Sequence, residues 1–466
     1  MHDVVPLRPT PGTSAPHTLV AGLGATAMRS VDRRPASAVR TLATLVGLLI
    51  TLPIDALVVG VALIGRARTP AAAPPNRSSR TVLITGGKMT KALQLARSFH
   101  RAGHRVILTE TAKYRLTGHR FSRAVDAFYC VPEPADPGYD AALYDIVRYE
   151  AVDNVIPVSS PVASIYDARA RYTLDSICEV MHATEDVVRM LDDKAEFSKV
   201  AVALGLRVPS WVRITDPRQI LNFRFPAGRS YVLKQIAYNP VGRLDAPRLS
   251  RRTPQRNAAL AHWLPISEEN PWILQEFIAG REYCTHGTAI NGRLQVHVCC
   301  ESSASQLNYA MVDKPEILSW VEDFVGALGV TGQFSFDFIE AVDGTVYAIE
   351  CNPRTHSAIT TFHNHRQLAS AYLEEGHAVI TPLDGARPTY WIYHELWRLL
   401  TQRGRRARLS AIVRGKDAIF AWWDPLPYLM VHHVQIPALL IDNLIHRRGW
   451  LKIDFNIGKL VEPEGD

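Results

Sequence analysis

The residues with the clearest chemical meaning lie within positions 333–354, which read QFSFDFIEAVDGTVYAIECNPR. Two apolar stretches flank Asp343-Gly344, a dipeptide that favours a tight turn between antiparallel strands. With a two-residue loop, Asp337 lies directly opposite Glu350, and opposed side chains have Cβ atoms about 5 Å apart. Two carboxylates at that distance repel each other unless a cation lies between them. The sequence therefore predicts a cation site on this hairpin.

The neighbouring residues favour Mg²⁺ (or Mn²⁺) as that cation. Asn352 points to the same face of the predicted strand as Glu350 and adds an amide oxygen. Oxygen ligands suit Mg²⁺, which usually keeps waters and phosphate oxygens as its other ligands. Arg354 follows as a fixed cation for phosphate. The alternatives are a solvent-facing acidic pair, or a bulge that spoils the register between the two acids.

Two lysines earlier in the chain are candidates for phosphate binding. Lys194 lies in a predicted helix, MLDDKAEFSKVAVALGL, and Lys234 lies in a predicted strand, YVLKQIA. For either lysine alone, a solvated surface charge is the favoured interpretation. The apolar neighbours of Lys234 nevertheless indicate a buried strand, and a buried ammonium group requires an anion. A nucleotide phosphate would supply that anion.

The elements that must position these residues begin at Thr81. Apolar strands (TVLITGG, RVILTE, FYCVP and NVIPVSSP) alternate with helical segments, which predicts an α/β unit with a parallel, doubly wound sheet. Ligands bind at the carboxyl ends of such strands, so Ser159 and Ser160 are candidates for substrate contact. Residues 85–88 (TGGK) do not form a G-x-G-x-x-G motif, and a tight turn is the favoured interpretation there.

Composition and charge exclude several classes of protein. The chain has 466 residues, of which 47% are hydrophobic and 21% charged, so it can form about three folded domains and is not disordered overall. The net charge of +7 is concentrated in the first 80 residues. Because the remaining body is nearly neutral, nucleic acid is not an expected partner. The six cysteines form no C-x-x-C pair, which indicates free thiols in a reducing compartment.

Residues 42–64 (LATLVGLLITLPIDALVVGVALI) are expected to associate with a membrane. A helix of this length matches a hydrocarbon layer of about 30 Å, and its aliphatic residues outweigh the cost of Asp55. A signal peptide is the rival interpretation, but the segment is long and lacks a convincing cleavage site. The break at Pro53 also allows a re-entrant hairpin. The C-terminal apolar stretch 426–445 is interrupted by polar residues too often to span, and core packing is favoured there.

Taken together, the motifs resemble the ATP-grasp superfamily in residue type and order. More narrowly, the segments GGKMTKALQLARSFH, MLDDK, IECNPRTHSAIT and GWLKIDFNIGKLVE look like the ATP-grasp ligases of mycosporine biosynthesis, the mycosporine-glycine synthases. That family joins 4-deoxygadusol to glycine with consumption of ATP. The resemblance runs from about residue 82 to the C terminus.

The resemblance implies a role for each matching residue. Lys194 and Lys234 match lysines that hold ATP phosphates, and Arg354 matches an arginine at the transferred phosphoryl group, with Lys234 and Arg354 the catalytic pair. The implied contacts are the Gln275, Glu276, Phe277 and Ile278 segment at adenine, Glu282 at ribose, Asp337, Glu350 and Asn352 at Mg²⁺, and Thr355, His356 and Ser357 at the acceptor substrate. A core histidine is at least as good an interpretation of His356.

The resulting expectation is a membrane-anchored, ADP-forming ligase with its catalytic body in the cytoplasm. The expected divisions are a disordered arm at 1–40, a transmembrane or re-entrant helix at 41–65, a linker at 66–80, a Rossmann-like domain at 81–185, a two-lobed α+β ATP-grasp domain at 186–385 and a C-terminal region at 386–466. Two other functions remain open. One is an ATP-grasp ligase that joins an ordinary carboxylic acid to an amine, and the other is a membrane-anchored nucleotide-binding scaffold without catalysis.

Overall fold

A computed structural model describes residues 38–66, 79–158, 160, 162–237, 247–302, 308–376, 378–402 and 404–462. Most of the expected arm (1–40) and linker (66–80) therefore lies outside the described residues, as does Ser159. The first helix, α1, is Ala38–Arg66, and the folded body follows it.

The first part of the body is a parallel five-stranded sheet, as the sequence predicts. Its strands are β1 (Thr81–Ile84), β2 (Arg105–Thr111), β3 (Ala127–Val131), β4 (Asn154–Ile156) and β5 (Glu179–Val180), in the order β3-β2-β1-β4-β5. The helices α2 (Thr90–Arg101), α3 (Tyr139–Tyr149) and α4 (Ser164–Leu174) connect and cover them. Leu83 and Ile84 of β1 are fully buried, as expected for a parallel strand covered on both faces.

The second part is a small antiparallel sheet with helices on one side. Its elements are α5 (Glu185–Asp192), α6 (Lys194–Ala203), β6 (Trp211–Ile214), α7 (Pro217–Asn222), β7 (Ser230–Gln235), β8 (Arg248–Ser250), α8 (Pro254–Trp263) and β9 (Trp272–Glu276). The strand order is β6-β9-β7-β8. Its core includes Tyr231, Leu233 and Leu274, which point away from Lys234 because side chains alternate along a strand.

The third part is a larger antiparallel sheet, which carries the acidic hairpin. It contains β10 (Gly280–Ile290), β11 (Arg293–Ser302), β13 (Gly332–Ala341) and β14 (Val346–Asn352), in the order β11-β10-β13-β14, with β12 (Asn308–Tyr309) and α9 (Pro315–Leu328) between β11 and β13. One face packs against α9, where Trp320 and Phe324 contact Phe336. The opposite face carries Asp337 and Glu350 on β13 and β14, while on β10 and β11 it contributes Cys284, Val298 and Cys300 to the core shared with the parallel-sheet domain.

The hairpin between β13 and β14 does not have the predicted two-residue turn. Ala341 N–H donates to the Thr345 carbonyl (2.8 Å), so the loop contains three residues, 342–344. Gly344 adopts a φ of +84°, which glycine tolerates without a steric penalty. A turn that ends in such a glycine is the usual form of a three-residue hairpin loop.

The predicted pairing of Asp337 with Glu350 is nevertheless confirmed, because a bulge compensates for the longer loop. Near the turn Phe338 pairs with Ala348, whereas a two-residue loop would pair Phe338 with Ile349. The register shifts between Asp337 and Phe338, so Ile349 is the extra residue of β14. A bulge was the alternative that would have spoiled this register, and here a bulge brings the two acids into register.

The C-terminal region packs on the parallel-sheet domain. It follows α10 (Leu368–Leu373) and contains β15 (Thr389–Tyr390), α11 (Ile392–Thr401), α12 (Arg405–Arg414), β16 (Lys416–Asp417), α13 (Leu426–Met430), α14 (Ile436–Ile445), β17 (Lys452–Asp454) and β18 (Lys459–Val461). A π turn over Val431–Gln435 joins α13 to α14. The Gln435 side chain accepts a hydrogen bond from Gly118 N–H (2.7 Å), and Trp391 donates to Thr90 Oγ1 (3.0 Å). The stretch 426–445 is thus largely core, as favoured from the sequence.

The helix α1 is continuous through Pro53 and forms no hairpin at that residue. Its length and composition would allow it to cross a membrane, but these two properties alone are weak evidence for a transmembrane helix. One stripe of α1 packs on the C-terminal region. At its start Thr41 accepts a hydrogen bond from Trp450 (3.0 Å), and Val59, near the other end, is buried in the shared core.

Polar contacts at the middle of α1 explain how its single acid is accommodated. Asp55 accepts hydrogen bonds from Tyr393 (2.6 Å) and Tyr428 (3.2 Å) and lies 2.8 Å from His433 Nε2. The other side of the helix is apolar and exposed, for example at Leu49, Ile54 and Leu57.

Candidate functional site

Residues 277–279 connect the small and large sheets, and the candidate side chains lie where the two sheets meet, a junction that we call the cleft. Gln275, on β9, spans the junction. Its side-chain oxygen accepts a hydrogen bond from Lys234 Nζ (3.0 Å), and its side-chain nitrogen donates to the Ile349 carbonyl (3.1 Å). Ile349 is the extra residue of the bulge, so the bulge supplies a carbonyl group that ties the small sheet to the acidic hairpin.

The candidate metal and ribose ligands share one face of the large sheet. Cys284 on β10 pairs with Asp337, which in turn pairs with Glu350. Glu282 lies two residues before Cys284 and Asn352 two residues after Glu350, so both point to that same face. The sequence expectation that these oxygen donors converge therefore agrees with the register.

Basic side chains face the acids from two directions. Lys194 Nζ lies 3.6 Å from a carboxylate oxygen of Glu350. Arg354 donates a hydrogen bond to the Asn352 amide oxygen (2.9 Å). Lys194 is held at the first turn of α6 because Asp193 caps that helix, accepting hydrogen bonds from Ala195 N–H and Glu196 N–H.

Burial and neighbouring charges shift the pKa values of Lys234 and Asp192, two groups in the cleft, in opposite directions. Burial lowers the pKa of Lys234, while the nearby carboxylates of Glu350 and Asp337 partly offset that effect. Burial raises the pKa of Asp192, and Lys194 and Arg354 oppose the shift. The cleft thus gathers charges of both signs in a partly dehydrated space, where each depends on its partners.

The donor set fits a magnesium ion that is shared with a nucleotide. Asp337, Glu350 and Asn352 together offer carboxylate and amide oxygens, the ligand type that Mg²⁺ prefers. Among the described residues no group of three or more His, Cys, Asp or Glu is arranged to hold a metal by itself. Asp337, Glu350 and Asn352 would leave further positions on Mg²⁺ for water or phosphate oxygens.

The expected adenine and ribose contacts lie at the edge of the cleft. The Glu276 carboxylate accepts hydrogen bonds from Ser210 (2.9 Å) and Arg229 (3.2 Å), and its N–H donates to the Ser210 carbonyl (2.7 Å), so neither its side chain nor its N–H is available for the expected role. The Arg248 guanidinium lies 3.4 Å from the centre of the Phe277 ring. Ile278 lies in the connection between the sheets, and Glu282 is exposed on β10.

The residues expected to contact the acceptor are packed against the parallel-sheet domain. Thr355 is buried, and its hydroxyl donates to the Gln333 side chain (2.6 Å). His356 accepts from Ala358 N–H (3.2 Å) and begins a short helical turn, Ser357–Phe362, so it has a structural role as well. Ser357 is buried at the start of that turn.

Ser160 has a local structural role. Its carbonyl accepts a hydrogen bond from Ala163 N–H (3.1 Å) at the start of α4. The described contacts of Ser160 therefore do not bring it to the acidic hairpin.

Lys91 is the main site residue that sequence reasoning missed. It lies on the first turn of α2, is 5% exposed, and donates a hydrogen bond to the Thr355 carbonyl (2.6 Å). Burial lowers its pKa well below the usual value, and the charges of Arg354 and Lys88 lower it further. No local pattern signals this contact, because the two residues are 264 positions apart.

A buried polar group surrounds Lys91 and extends from the acidic face. His286 lies two residues beyond Cys284 on β10, accepts a hydrogen bond from His356 N–H (3.2 Å), and lies 3.2 Å from the Tyr372 hydroxyl. Burial lowers the pKa of His286 well below its usual value, and His356 and Lys91 add to that shift. A neutral imidazole at this position is therefore expected at pH 7.

Comparison with solved structures shows which fold this arrangement belongs to. No family model matches the sequence, and no curated protein matches it. The structure is similar to N5-carboxyaminoimidazole synthetase from Staphylococcus aureus complexed with ADP, with a TM-score of 0.50, 14% identity, and 68% of this chain and 83% of that chain covered. It is also similar to a biotin carboxylase–β,γ-ATP complex from Campylobacter jejuni, with a TM-score of 0.50, 13% identity, and 64% and 72% covered.

An L-amino acid ligase from Bacillus licheniformis has a TM-score of 0.49 and 16% identity, with 65% of this chain and 77% of that chain covered. The expected fold class, a Rossmann-like domain followed by a two-lobed ATP-grasp domain, is confirmed by the first two neighbours. At these identities the similarity establishes the fold, and the reaction has to be argued from the site.

Proposed function

We propose that this protein is an ATP-dependent ligase that phosphorylates an acidic oxygen of one substrate and then joins that substrate to an amine. The observation that carries the proposal is the pairing of Asp337 with Glu350 inside an ATP-grasp cleft, with Lys194 3.6 Å from Glu350. A non-catalytic scaffold would not need this combination of opposed acids and phosphate-binding cations.

The side chains divide the work of phosphoryl transfer among them. Lys194, Lys234 and Arg354 bind and neutralise phosphate oxygens, which holds the terminal phosphate in line with the acceptor. Asp337, Glu350 and Asn352 would hold Mg²⁺, which supplies further neutralisation of phosphate charge when bound. The backbone of residues 276–278 receives adenine, and Glu282 receives the ribose hydroxyls.

The finer proposal is that the acceptor is 4-deoxygadusol and the amine is glycine, and it rests on the sequence resemblance described above. An enolised 1,3-dicarbonyl behaves as a vinylogous carboxylic acid. Its oxygen attacks the γ-phosphorus and ADP leaves. The free amine of glycine then adds to the ring carbon that bears the phosphorylated oxygen. Phosphate leaves from that carbon and the amine loses a proton, which gives mycosporine-glycine.

An ordinary carboxylic acid would follow the same two steps through an acyl phosphate. The ATP-grasp fold supports this broader carboxylate–amine ligase reading better than the specific one. In neither case is a protein nucleophile required. Burial raises the pKa of the Cys351 thiol well above its usual value, so this neighbouring cysteine remains protonated.

We further propose that α1 holds the enzyme at a membrane, with the catalytic body on the cytoplasmic side. The support is the length and apolar composition of α1, together with its exposed apolar side. Lengthwise packing on the body favours a helix that lies in the plane of the interface over one that crosses the bilayer alone.

A turnover assay tests the proposed reaction. The full chain is incubated with ATP, Mg²⁺, 4-deoxygadusol and glycine, and the nucleotides and products are identified by mass spectrometry. The expected result is equimolar ADP, phosphate and mycosporine-glycine. Formation of AMP and pyrophosphate would reject the mechanism.

A panel of carboxylic acids and amines in the same assay separates the two ligase readings. Turnover only with ordinary carboxylates would replace the proposed acceptor. If ATP binds but no acceptor supports turnover, the protein is a scaffold.

A further inference from the structure

A second cavity, separate from the nucleotide cleft, lies between α1, α2 and the segment that follows α12. Its volume is about 530 Å³, and we call it the basic pocket after four lining residues, Arg97, Arg101, Arg387 and Lys416. None of the residues assigned above to ATP, metal or acceptor lines it. The inference drawn from this pocket therefore does not depend on the proposed reaction.

Three of the four cations have no carboxylate partner among the described residues. Arg101 donates to the His363 carbonyl (2.6 Å), Arg387 to the Arg414 carbonyl (3.0 Å), and Lys416 to the Asp417 and Phe420 carbonyls (3.0 and 3.1 Å). Only Arg97 is paired, with Asp424 (2.8 Å). The hydrogen bonds to main-chain carbonyls orient these three cations, and none of the three forms an ion pair within the described part of the chain.

Asp417 and Asp55 also line the pocket, and these two carboxylates offset part, but not all, of the charge of those three cations. Asp417 accepts hydrogen bonds from the backbone N–H groups of Ile392, Ile419 and Phe420 (2.7–2.9 Å). The other carboxylate, Asp55, accepts from the tyrosines of the C-terminal region as described above. Both acids are therefore committed to holding the chain in place.

The electrostatic consequence appears at Lys416. Burial lowers the pKa of Lys416 to about 7, and the neighbouring charge of Arg97 contributes to the shift. Burial also lowers the pKa of Arg101. Like charges held together in a partly dehydrated pocket destabilise one another, and a bound anion relieves that repulsion.

The rest of the lining is apolar and leads to α1. Val58 of α1 and Trp422 both line the pocket and are both exposed, and Trp422 has 62% of its surface accessible. Beyond Val58, the outer side of α1 continues as an apolar surface at Val61 and Ile64. A ligand with an anionic head in the pocket could lay an apolar tail along this helix.

From this juxtaposition we infer that the basic pocket binds the phosphate head group of an anionic membrane phospholipid, whose acyl chains lie along the exposed side of α1. Arg101, Arg387 and Lys416 donate to the phosphate oxygens, which arginine in particular can bind in a bidentate manner. Trp422 packs at the level of the head group, where tryptophan is favoured at membrane interfaces.

Lipid retention by the full chain tests this inference. The wild-type protein in mild detergent is given dioleoylphosphatidylglycerol, and bound lipid is counted by native mass spectrometry. We expect one lipid per chain in the wild type and at least ~10-fold weaker retention in a K416M/R387Q variant, because charge-assisted hydrogen bonds are lost. The matched control is R405Q/R406Q, which removes two exposed arginines of α12 that do not line the pocket.

The two variants distinguish a specific lipid-binding site from nonspecific electrostatic attraction between the protein and anionic lipid. Loss in K416M/R387Q with retention in R405Q/R406Q supports the site, whereas equal loss in both variants overturns it. Equal retention of dioleoylphosphatidylcholine overturns the preference for anionic lipid. Displacement of the lipid by glycerol 3-phosphate at a similar concentration reassigns the pocket to a soluble phosphate.

A second measurement does not depend on charge variants. Phosphatidylglycerol brominated on its acyl chains is added to the wild-type protein, and quenching of tryptophan fluorescence is recorded. We expect part of the quenching to disappear in W422F, which keeps an aromatic ring but removes the more exposed of the two indoles that line the pocket. Identical quenching in wild type and W422F would contradict lipid binding at this pocket.

Discussion

At the scale of single residues, Glu350 connects the metal expectation with the phosphate-binding cations. It pairs with Asp337 across the hairpin and lies 3.6 Å from Lys194. Glu350→Gln keeps the shape of the side chain but removes its charge. We expect kcat to fall by roughly 100-fold or more, as when one preorganised electrostatic contact to the reacting group is lost. Release of ADP by the full chain in the complete reaction mixture measures the change.

The matched control for this substitution is Asp343→Asn, at the tip of the same hairpin. Asp343 accepts a hydrogen bond from Thr345 N–H (3.0 Å), which an asparagine oxygen can also accept. Its kcat should remain close to that of the wild type. If Glu350→Gln turned over as fast as Asp343→Asn, the proposed role of the acid pair would be wrong.

Burial of Lys91 is expected to lower the stability of the folded chain at neutral pH. Its pKa is lowered well below the usual value, so the unfolded chain binds this proton more readily than the folded chain between the lowered pKa and about 10.5. Wild-type stability should therefore rise with pH across that range. Lys91→Met should unfold at a higher temperature than the wild type at pH 7, and this advantage should shrink as the pH approaches 10.5. Thermal unfolding at several pH values measures it.

The same Lys91→Met substitution is expected to lower kcat/KM by ~10-fold or more, since a hydrogen-bond donor beside the acceptor residues is lost. Lys113→Met removes an exposed lysine that pairs weakly with Glu462 (3.5 Å) and is the control. A Lys91→Met enzyme with full activity would show that this lysine serves only to hold Thr355 in place.

At the scale of elements, the hairpin shows what sequence patterns can and cannot predict. The pairing of Asp337 with Glu350 follows from alternation and a turn dipeptide, and it is confirmed. The predicted two-residue turn was wrong, and the bulge, considered only as a feature that would spoil the register, is what restores it. The carbonyl of its extra residue, Ile349, accepts a hydrogen bond from Gln275 on another sheet (3.1 Å). A local pattern contains no information about that contact.

The helix α1 is a second element whose composition predicts only part of its behaviour. Its apolar sequence indicates membrane affinity, but the hydrogen bonds of Asp55 to Tyr393 and Tyr428 depend on residues more than 300 positions away. We expect Asp55→Leu to loosen α1, because buried partners of the carboxylate lose their acceptor. Amide hydrogen exchange in α1 should become faster by ~10-fold or more.

Ile54→Ala is the control for Asp55→Leu, because Ile54 lies beside it but is exposed and points away from the body. Its exchange rates should be those of the wild type. Unchanged exchange in Asp55→Leu would mean that apolar packing alone, at residues such as Leu48 and Val59, holds the helix.

At the scale of the whole molecule, the two sheets that form the cleft are linked through Gln275, through the connection after β9, and through the hydrogen bond from Ala348 N–H to the carbonyl of Arg207, just before β6 (3.1 Å). A ligand that contacts both sheets should therefore stabilise the chain as one unit. At 100 times its Kd, a ligand adds about 2.7 kcal/mol to the free energy of unfolding. We expect Mg²⁺ with a non-hydrolysable ATP analogue to raise Tm by at least ~2 °C.

The control for the thermal shift is the same nucleotide with excess EDTA, which should remove most of it. Glu350→Gln should show the same small shift with and without Mg²⁺. An equal shift for the wild type with and without metal would contradict the assignment of Asp337, Glu350 and Asn352.

The domain order and the cleft lysines could be predicted from the sequence, because repeated strand–helix alternation and motif order are local properties. The buried group around Lys91, His286 and Gln333 could not. It forms where the parallel-sheet domain meets the large sheet, as in the hydrogen bond from the Gln333 side chain to the Pro157 carbonyl (2.7 Å). Packing between distant segments creates this group, so only a structure reveals it.

The stripe of α1 that rests on the body has a practical consequence for purification. Deleting the first 66 residues is an obvious way to seek a detergent-free protein. That deletion would expose Tyr393, Tyr428 and His433 to solvent. It would also expose the apolar residues of the body that pack against Leu48 and Val59. The shortened chain is expected to aggregate more readily in buffer than the full chain. The hydrophobic segment itself therefore has to be kept to obtain soluble, monodisperse protein.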